Sequence, residues 1–273
     1  MMASDIVFIS HGGGPLPLLN DPGHREMVTQ LKALSAQLPT PELILVIGAH
    51  WEAQQPTVTS SDRPSLIYDY SGFPPESYNI QYPTPGHPKF ADQLITALNH
   101  RGIAAQTDAH RGLDHGVFVP LTIMYPEADI PCVQLSLING LDPAEHIALG
   151  NALRDIDQPG LLVIGSGFSF HNMRAFFAPD SAEIREANSA FQEWLEDTCT
   201  NSELTEEERQ QRLINWASAP HARFCHPREE HLLPLHVCAG MAGRAAEQHI
   251  ATEILNKASG MYYWQGQQRN HIG

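Results

Sequence analysis

The chain has 273 residues, 42% of them hydrophobic and 17% charged. This predicts a substantial core in one large α/β domain or two small ones and argues against wholesale disorder. A formal net charge of −15 argues against nucleic acid as a partner, and no apolar run approaches the ~20 residues of a membrane helix.

The first element is Ile6-Val7-Phe8-Ile9, a β-prone run that stops at Ser10-His11-Gly12-Gly13-Gly14-Pro15. Glycines there allow positive φ or close approach of the main chain to a ligand. A His at the carboxyl end of a strand lies where open α/β sheets bind ligands. Asp21 to Leu38 reads as a helix with Met27, Leu31 and Leu34 on one face, ended by Pro39 and Pro41. Glu42 to Gly48 is a continuous apolar run, the mark of a strand buried on both faces, and it leads into Ala49-His50-Trp51. A second strand is therefore expected to end in His.

Residues 52 to 88 are rich in Pro, Tyr, Ser and Gly and read as one long loop, whose aromatics either wall a pocket or pin the loop to itself. Pro88 to His100 is a second helix, and Ile103 to Thr107 a short strand. The glycine-bounded loop Arg111 to Val117 carries His115. Val117 to Tyr125 is a short helix, and Ile130 to Leu137 another buried strand. Asp142 and Pro143 suit the N-cap and first position of a helix through Leu153. The strand Gly160 to Gly165 feeds a loop that delivers His171. Ser181 to Thr198 is an amphipathic helix, and Thr205 to Ala217 is another, with Thr205 as cap. Pro227, Glu229 and Glu230 suit a helix start and first turn, which places His231 on or just after that turn. Met261 to Trp264 is a last strand-like piece. No linker divides the chain, so residues 1–273 are expected to form a single catalytic domain. Met1 to Asp5 has no basic region of the signal-peptide kind, and four scattered cysteines without a CxxC pair suit a reducing cytoplasm.

The composition is unusual in its 15 histidines against 16 Lys and Arg together. About ten are expected to be surface or core residues. The others, His11, His50 and His171 from strand ends with His115 and His231 from loops or helix starts, could meet at one sheet edge, because parallel strands share a carboxyl end. Such a cluster fits a divalent metal better than an anion. A serine hydrolase is disfavoured because Gly165-Ser166-Gly167 lacks G-x-S-x-G spacing. A phosphate loop is disfavoured because no Lys or G-x-G-x-x-G follows Gly12 to Gly14. A metal chelate by His226 and Glu230 is weaker than a solvated first turn.

Taken in order, Ser10-His11-Gly12, Ala49-His50-Trp51, Asp114-His115-Gly116, Phe170-His171-Asn172 and Glu230-His231-Leu232-Leu233-Pro234-Leu235 resemble the class III extradiol ring-cleaving dioxygenases. The nearest resemblance is to the DOPA 4,5-dioxygenase type, related to the protocatechuate 4,5-dioxygenase catalytic subunit. Phe73-Pro74, Tyr82 to Gly86 and Met124 to Ser136 add to it, and it spans roughly residues 5 to 265. The resemblance implies a single open, largely parallel mixed sheet flanked by helices, with the metal site at the strand C-terminal ends. It implies one divalent metal, Fe(II) or Zn(II), and a reaction of a small aromatic diol (a DOPA-like or related catechol) with O₂ to a muconic semialdehyde-type product. By motif, His11, His50 and His231 match metal ligands, with Glu230 the rival third ligand. His171 matches a catalytic acid/base or an additional ligand, and His115 a group that orients substrate.

Zinc has no accessible redox change, so a zinc-dependent hydrolase is the alternative enzyme. A metal- or partner-binding protein of the Memo type is the non-enzymatic alternative. Arg111, Arg174 and Arg223 are candidates to meet a substrate carboxylate, although a structural role is the better expectation for each. A homo-oligomer is compatible with the sequence. Gly12 to Gly14 are expected to be a thin wall beside the metal that admits a flat ring.

Overall fold

The computed structural model describes residues 4–266. The chain opens with β1 (Asp5–Ser10), α1 (Arg25–Gln37), β2 (Leu43–Ala53) and β3 (Thr57–Thr59). It continues through α2 (Pro88–His100), β4 (Gln106–Asp108), α3 (His115–Met124), β5 (Cys132–Ile138), α4 (Pro143–Leu153) and β6 (Leu161–Gly167). Five helices follow: α5 (Met173–Phe177), α6 (Ala182–Thr200), α7 (Glu206–Ile214), α8 (Ala222–Cys225) and α9 (Leu233–Ala242). The hairpin β7 (Gln248–Ile254) and β8 (Lys257–Trp264) closes the described chain.

All eight strands form one mixed sheet in the order β4-β3-β5-β2-β6-β1-β8-β7. Its centre, β5-β2-β6-β1, is parallel, and the β7–β8 hairpin adds antiparallel strands beside β1. Alternating side chains of the central strands enter two cores. Leu43, Leu45 and Ile47 of β2 pack with residues of α2, α4, α6 and α9, while Ile44 and Val46 pack with residues of α1 and α3. A buried side chain of this size contributes about 1.5–3 kcal/mol. Leu43, Leu45 and Ile47 alone therefore approach the ~5–15 kcal/mol net stability of a whole domain. Both faces must be covered, and the apolar run in the sequence states that requirement.

Local signals place most helix starts. Asp142 accepts from Ala144 N, Ser181 accepts from Ile184 N, and Thr205 with Glu208 forms a capping box. Four expectations are corrected. Residues 52–88 hold the short strand β3, whose three residues pair with both β4 and β5. The tail contributes a two-strand hairpin rather than one strand. His50 does not follow a strand end: β2 runs on to Ala53, and its register against β5 shifts between Ile47 and Glu52, so His50 rides on a bulge. The helix expected from Pro227 begins at Leu233, with Pro234 in its first turn, where a missing N–H costs nothing. His231 is thus in the turn that precedes the helix.

No helix among the described residues is long and apolar enough to cross a membrane. The four cysteines are free and buried.

Candidate metal centre

Three parallel strands bring the first histidines together. His11 follows the last residue of β1, His50 rides on the β2 bulge, and β6 runs alongside both. His231 arrives from across the sheet because Gly167 has no side chain. A Cβ there would stand 2.1 Å from the His231 carbonyl oxygen, which accepts from Phe168 N at 2.9 Å. At the other side of the site, Gly12 has φ +84°, and a Cβ would press on Pro17 at 2.4 Å. The buried His24 secures this turn. Its Nε2 accepts from Gly13 N at 2.9 Å, and its Nδ1 is 2.7 Å from Asp21 Oδ2.

The ring nitrogens converge. His50 Nε2 lies 3.2 Å from His11 Nε2 and 3.3 Å from His231 Nε2. Behind the rings stand carboxylates. Glu230 Oε1 is 2.9 Å from His231 Nδ1, and Asp69 Oδ2 is 3.7 Å from His50 Nδ1. The Glu230 acceptor keeps a proton on His231 Nδ1, which turns the His231 Nε2 lone pair toward His50 Nε2. Three imidazoles that bring ring nitrogens this close, one of them with its other nitrogen held by a carboxylate, form a donor set that fits a metal. Ligand atoms of His11, His50 and His231 all lie within 4.8 Å of one another. Burial, reinforced by the neighbouring imidazoles, lowers the pKa of His11 and His231 well below the ordinary value and that of His50 to about 3. All three are neutral at pH 7, as ligands must be.

Two more histidines flank the cluster. The His171 ring stacks on His231 with centroids 3.5 Å apart, and its Nδ1 is 3.6 Å from Glu230 Oε1. Burial lowers its pKa to about 4. His115 opens α3 with its centroid 4.1 Å from that of His50. Asp69 Oδ1 accepts from its backbone N at 3.0 Å and lies 2.8 Å from its Nδ1. Burial opposes ionisation of Asp69, but the hydrogen bonds and charge of His115 outweigh it and bring the pKa down to about 2.

Glu230 thus lies on the Nδ1 side of His231 and His171. Burial raises its pKa, although Arg228, 3.4 Å away, acts in the other direction. Asp69 and Glu230 back the imidazoles from opposite sides, and the sequence marked only one of them. Asp69 sits in an aperiodic loop, where its only signal is the flanking pair Tyr68 and Tyr70.

The five histidines line one cavity of about 250 Å³. Gly12, Gly13 and Gly14 also border it, as expected, and its remaining walls are aromatic or aliphatic. The loop aromatics serve both roles weighed from sequence. Tyr70 and Phe73 border the cavity, while Tyr68, Tyr70 and Tyr82 donate to the backbone of Ile80, Ser77 and Tyr125. Two of the three candidate arginines have other partners. Arg111 binds the buried Asp114 and lies over Trp51, while Arg223 pairs with Glu229 and lies over Trp216. Arg174 does not border the cavity. His226 is buried and meets Ser169 O at 2.9 Å, away from Glu230.

The sequence pattern described as catalytic LigB subunit of aromatic ring-opening dioxygenase matches residues 6–262. The chain belongs to this family. It is 40% identical to the dioxygenase tasH of Hapsidospora irregularis, covering 97% of this chain and 87% of that protein. It is 38% identical to a 4,5-DOPA dioxygenase extradiol of Beta vulgaris, covering 89% and 88%. The crystal structure of an uncharacterized protein from Escherichia coli K12 superposes with a TM-score of 0.74 at 27% identity, over 96% of this chain and all of that one. The LigB-family chain described here is thus an extradiol ring-opening dioxygenase, and its mixed α/β sheet is the fold expected from sequence.

Proposed function

We propose that this dioxygenase opens a catechol ring with O₂ at one divalent metal held by His11, His50 and His231. The observation that carries this reading is the approach of His11 Nε2 and His231 Nε2 to His50 Nε2, with carboxylates behind two of the rings. Glu230 then orients His231 and is not the third ligand. When bound, the metal supplies Lewis acidity toward the two hydroxyl oxygens and, as Fe(II), the redox chemistry that zinc lacks. Fe(II) is therefore the assigned working ion.

The chain's own residues do the rest. His171 is neutral near pH 7 and borders the cavity, so it can take a phenolic proton and return it later to oxygen. Its stacking on His231 holds the ring beside the cluster while leaving it free to transfer a proton. His115, fixed by Asp69 through Nδ1, presents its other ring nitrogen as a hydrogen-bond partner for substrate oxygen. The aromatic walls and glycine turn exclude water and accept a flat ring. Both atoms of O₂ enter the product, so no external reductant is needed. Buried free cysteines suit a reducing compartment, and we assign the protein to the cytoplasm.

Loading with Fe(II) under anaerobic conditions, followed by O₂ and a catechol, tests this reading. Expected are stoichiometric oxygen uptake and a yellow ring-opened product. No uptake with any catechol at full iron occupancy, or turnover that proceeds without O₂, overturns it.

A further inference from the structure

Resting on the ring-opening reading, we infer that the substrate is a catechol with an uncharged, apolar substituent, and that Leu255 at the tip of the β7–β8 hairpin helps select it. The cavity floor is the imidazole cluster. Its outer wall consists of Leu16, Phe73, Met173, Phe176, Phe177 and Leu255. Met173 and Phe177 are 53% and 76% exposed, so the apolar surface runs out to the rim. An ionised carboxylate or ammonium on the ring would lose water against these side chains and gain no partner from them. An alkyl or aryl group would remove apolar surface from water on both sides. A cavity of roughly 150 Å³ holds benzene, so about 250 Å³ leaves room for a ring and a short side group.

The hairpin turn provides an independent observation. Its two loop residues, Leu255 and Asn256, have φ of 49° and 59°, between the paired Ile254 and Lys257. This conformation favours Asn and Gly and strains a bulky side chain. Leu255 is nevertheless held there. Its N–H donates to Gly23 O at 2.9 Å, and Gly23 has no Cβ to obstruct the leucine methyl, which would stand 2.7 Å from one. The turn accepts strain and the neighbouring chain gives way, and the result is an aliphatic side chain on the cavity wall.

Steady-state kcat/KM of the iron-loaded enzyme for 4-methylcatechol, 4-tert-butylcatechol, 3,4-dihydroxybenzoate and DOPA tests the inference. The alkyl catechols are expected to be preferred by about 100-fold or more over the two charged ones. Leu255→Gly, which the turn accepts without strain, is expected to raise KM about tenfold more for 4-tert-butylcatechol than for catechol itself. Met173→Arg, at an exposed position, is expected to shift the ratio at least about tenfold toward 3,4-dihydroxybenzoate. A wild-type preference for either charged catechol, or equal effects of Leu255→Gly on both neutral ones, overturns the inference while leaving ring opening intact. If no catechol is turned over, the ring-opening reading fails instead. Anaerobic calorimetry with 4-tert-butylcatechol and 3,4-dihydroxybenzoate then decides the selectivity of the cavity alone, and tighter binding of the benzoate overturns it.

Discussion

Two groups of buried histidines coexist in this protein, and they differ in what their ring nitrogens face. His24, His146, His226 and His236 are fully buried, and each meets at least one main-chain group: Gly13 N, Ile138 N, Ser169 O, and both Leu213 O and Leu232 O. His11, His50 and His231 face one another through Nε2. Burial lowers the pKa of members of both groups, so a depressed pKa does not mark the site. A main-chain partner occupies one ring nitrogen and ties that imidazole to the fold. In the second group the carboxylate behind His231 takes its Nδ1 proton and leaves its Nε2 as an acceptor beside His50, open to a cation.

The largest effect that would sharpen this contrast is expected from His11→Ala. It removes one donor from the convergent set, and metal affinity should fall by more than the ~10–100-fold typical of losing a partner behind a ligand. Metal content after dialysis, with circular dichroism to confirm folding, gives the result. Retained metal would break the assignment of His11. Next comes His171→Ala, expected to lower kcat by about 10²–10⁴-fold with metal content near that of the wild type. Metal loss in that variant would move His171 into the ligand set.

Glu230→Gln should weaken metal binding about 10–100-fold, because an amide holds the proton on His231 Nδ1 less firmly than a carboxylate. Unchanged affinity would show that Glu230 does not orient His231. The last prediction concerns the structural group. Folding lowers His226 from 6.5 to about 3 and His236 from 6.5 to about 4. As pH falls below about 6.5, the unfolded chain takes up protons that the folded chain refuses. Stability should therefore decline from about pH 6.5 toward pH 4 and 3, by up to ~1.4 kcal/mol per pH unit for each group, and flatten below. Chemical denaturation across pH in His236→Phe should show a shallower slope than in the wild type. An unchanged slope would mean that His236 is not held neutral by the fold.

Much of the scaffold was legible because its signals are local. The run from Glu42 to Gly48 announces a strand buried on both faces, and Asp142-Pro143 and Thr205 announce helix starts. The His50 bulge was not legible, because it depends on how β2 pairs with β5. α9 starts at Leu233 although Pro227, Glu229 and Glu230 carry the local start signal, and residues 231–234 there pack against Gly165 and Gly167, a contact no local pattern reveals. β3 is too short for periodicity to reveal, and Asp69 lies in a loop with none.

The sequence by itself determined that this is an α/β protein with five ordered His motifs of the extradiol type, because strand runs, glycine turns and motif order are properties of the chain. Only the tertiary structure decided which nitrogens converge, that Asp69 and Glu230 stand behind the rings, and that Arg111 and Arg223 are occupied elsewhere. It also decided that the cavity wall is apolar, drawing Leu16, Phe73, Met173, Phe176, Phe177 and Leu255 from distant parts of the chain. These properties depend on distances between residues far apart in sequence, and such distances exist only once both faces of the sheet are covered.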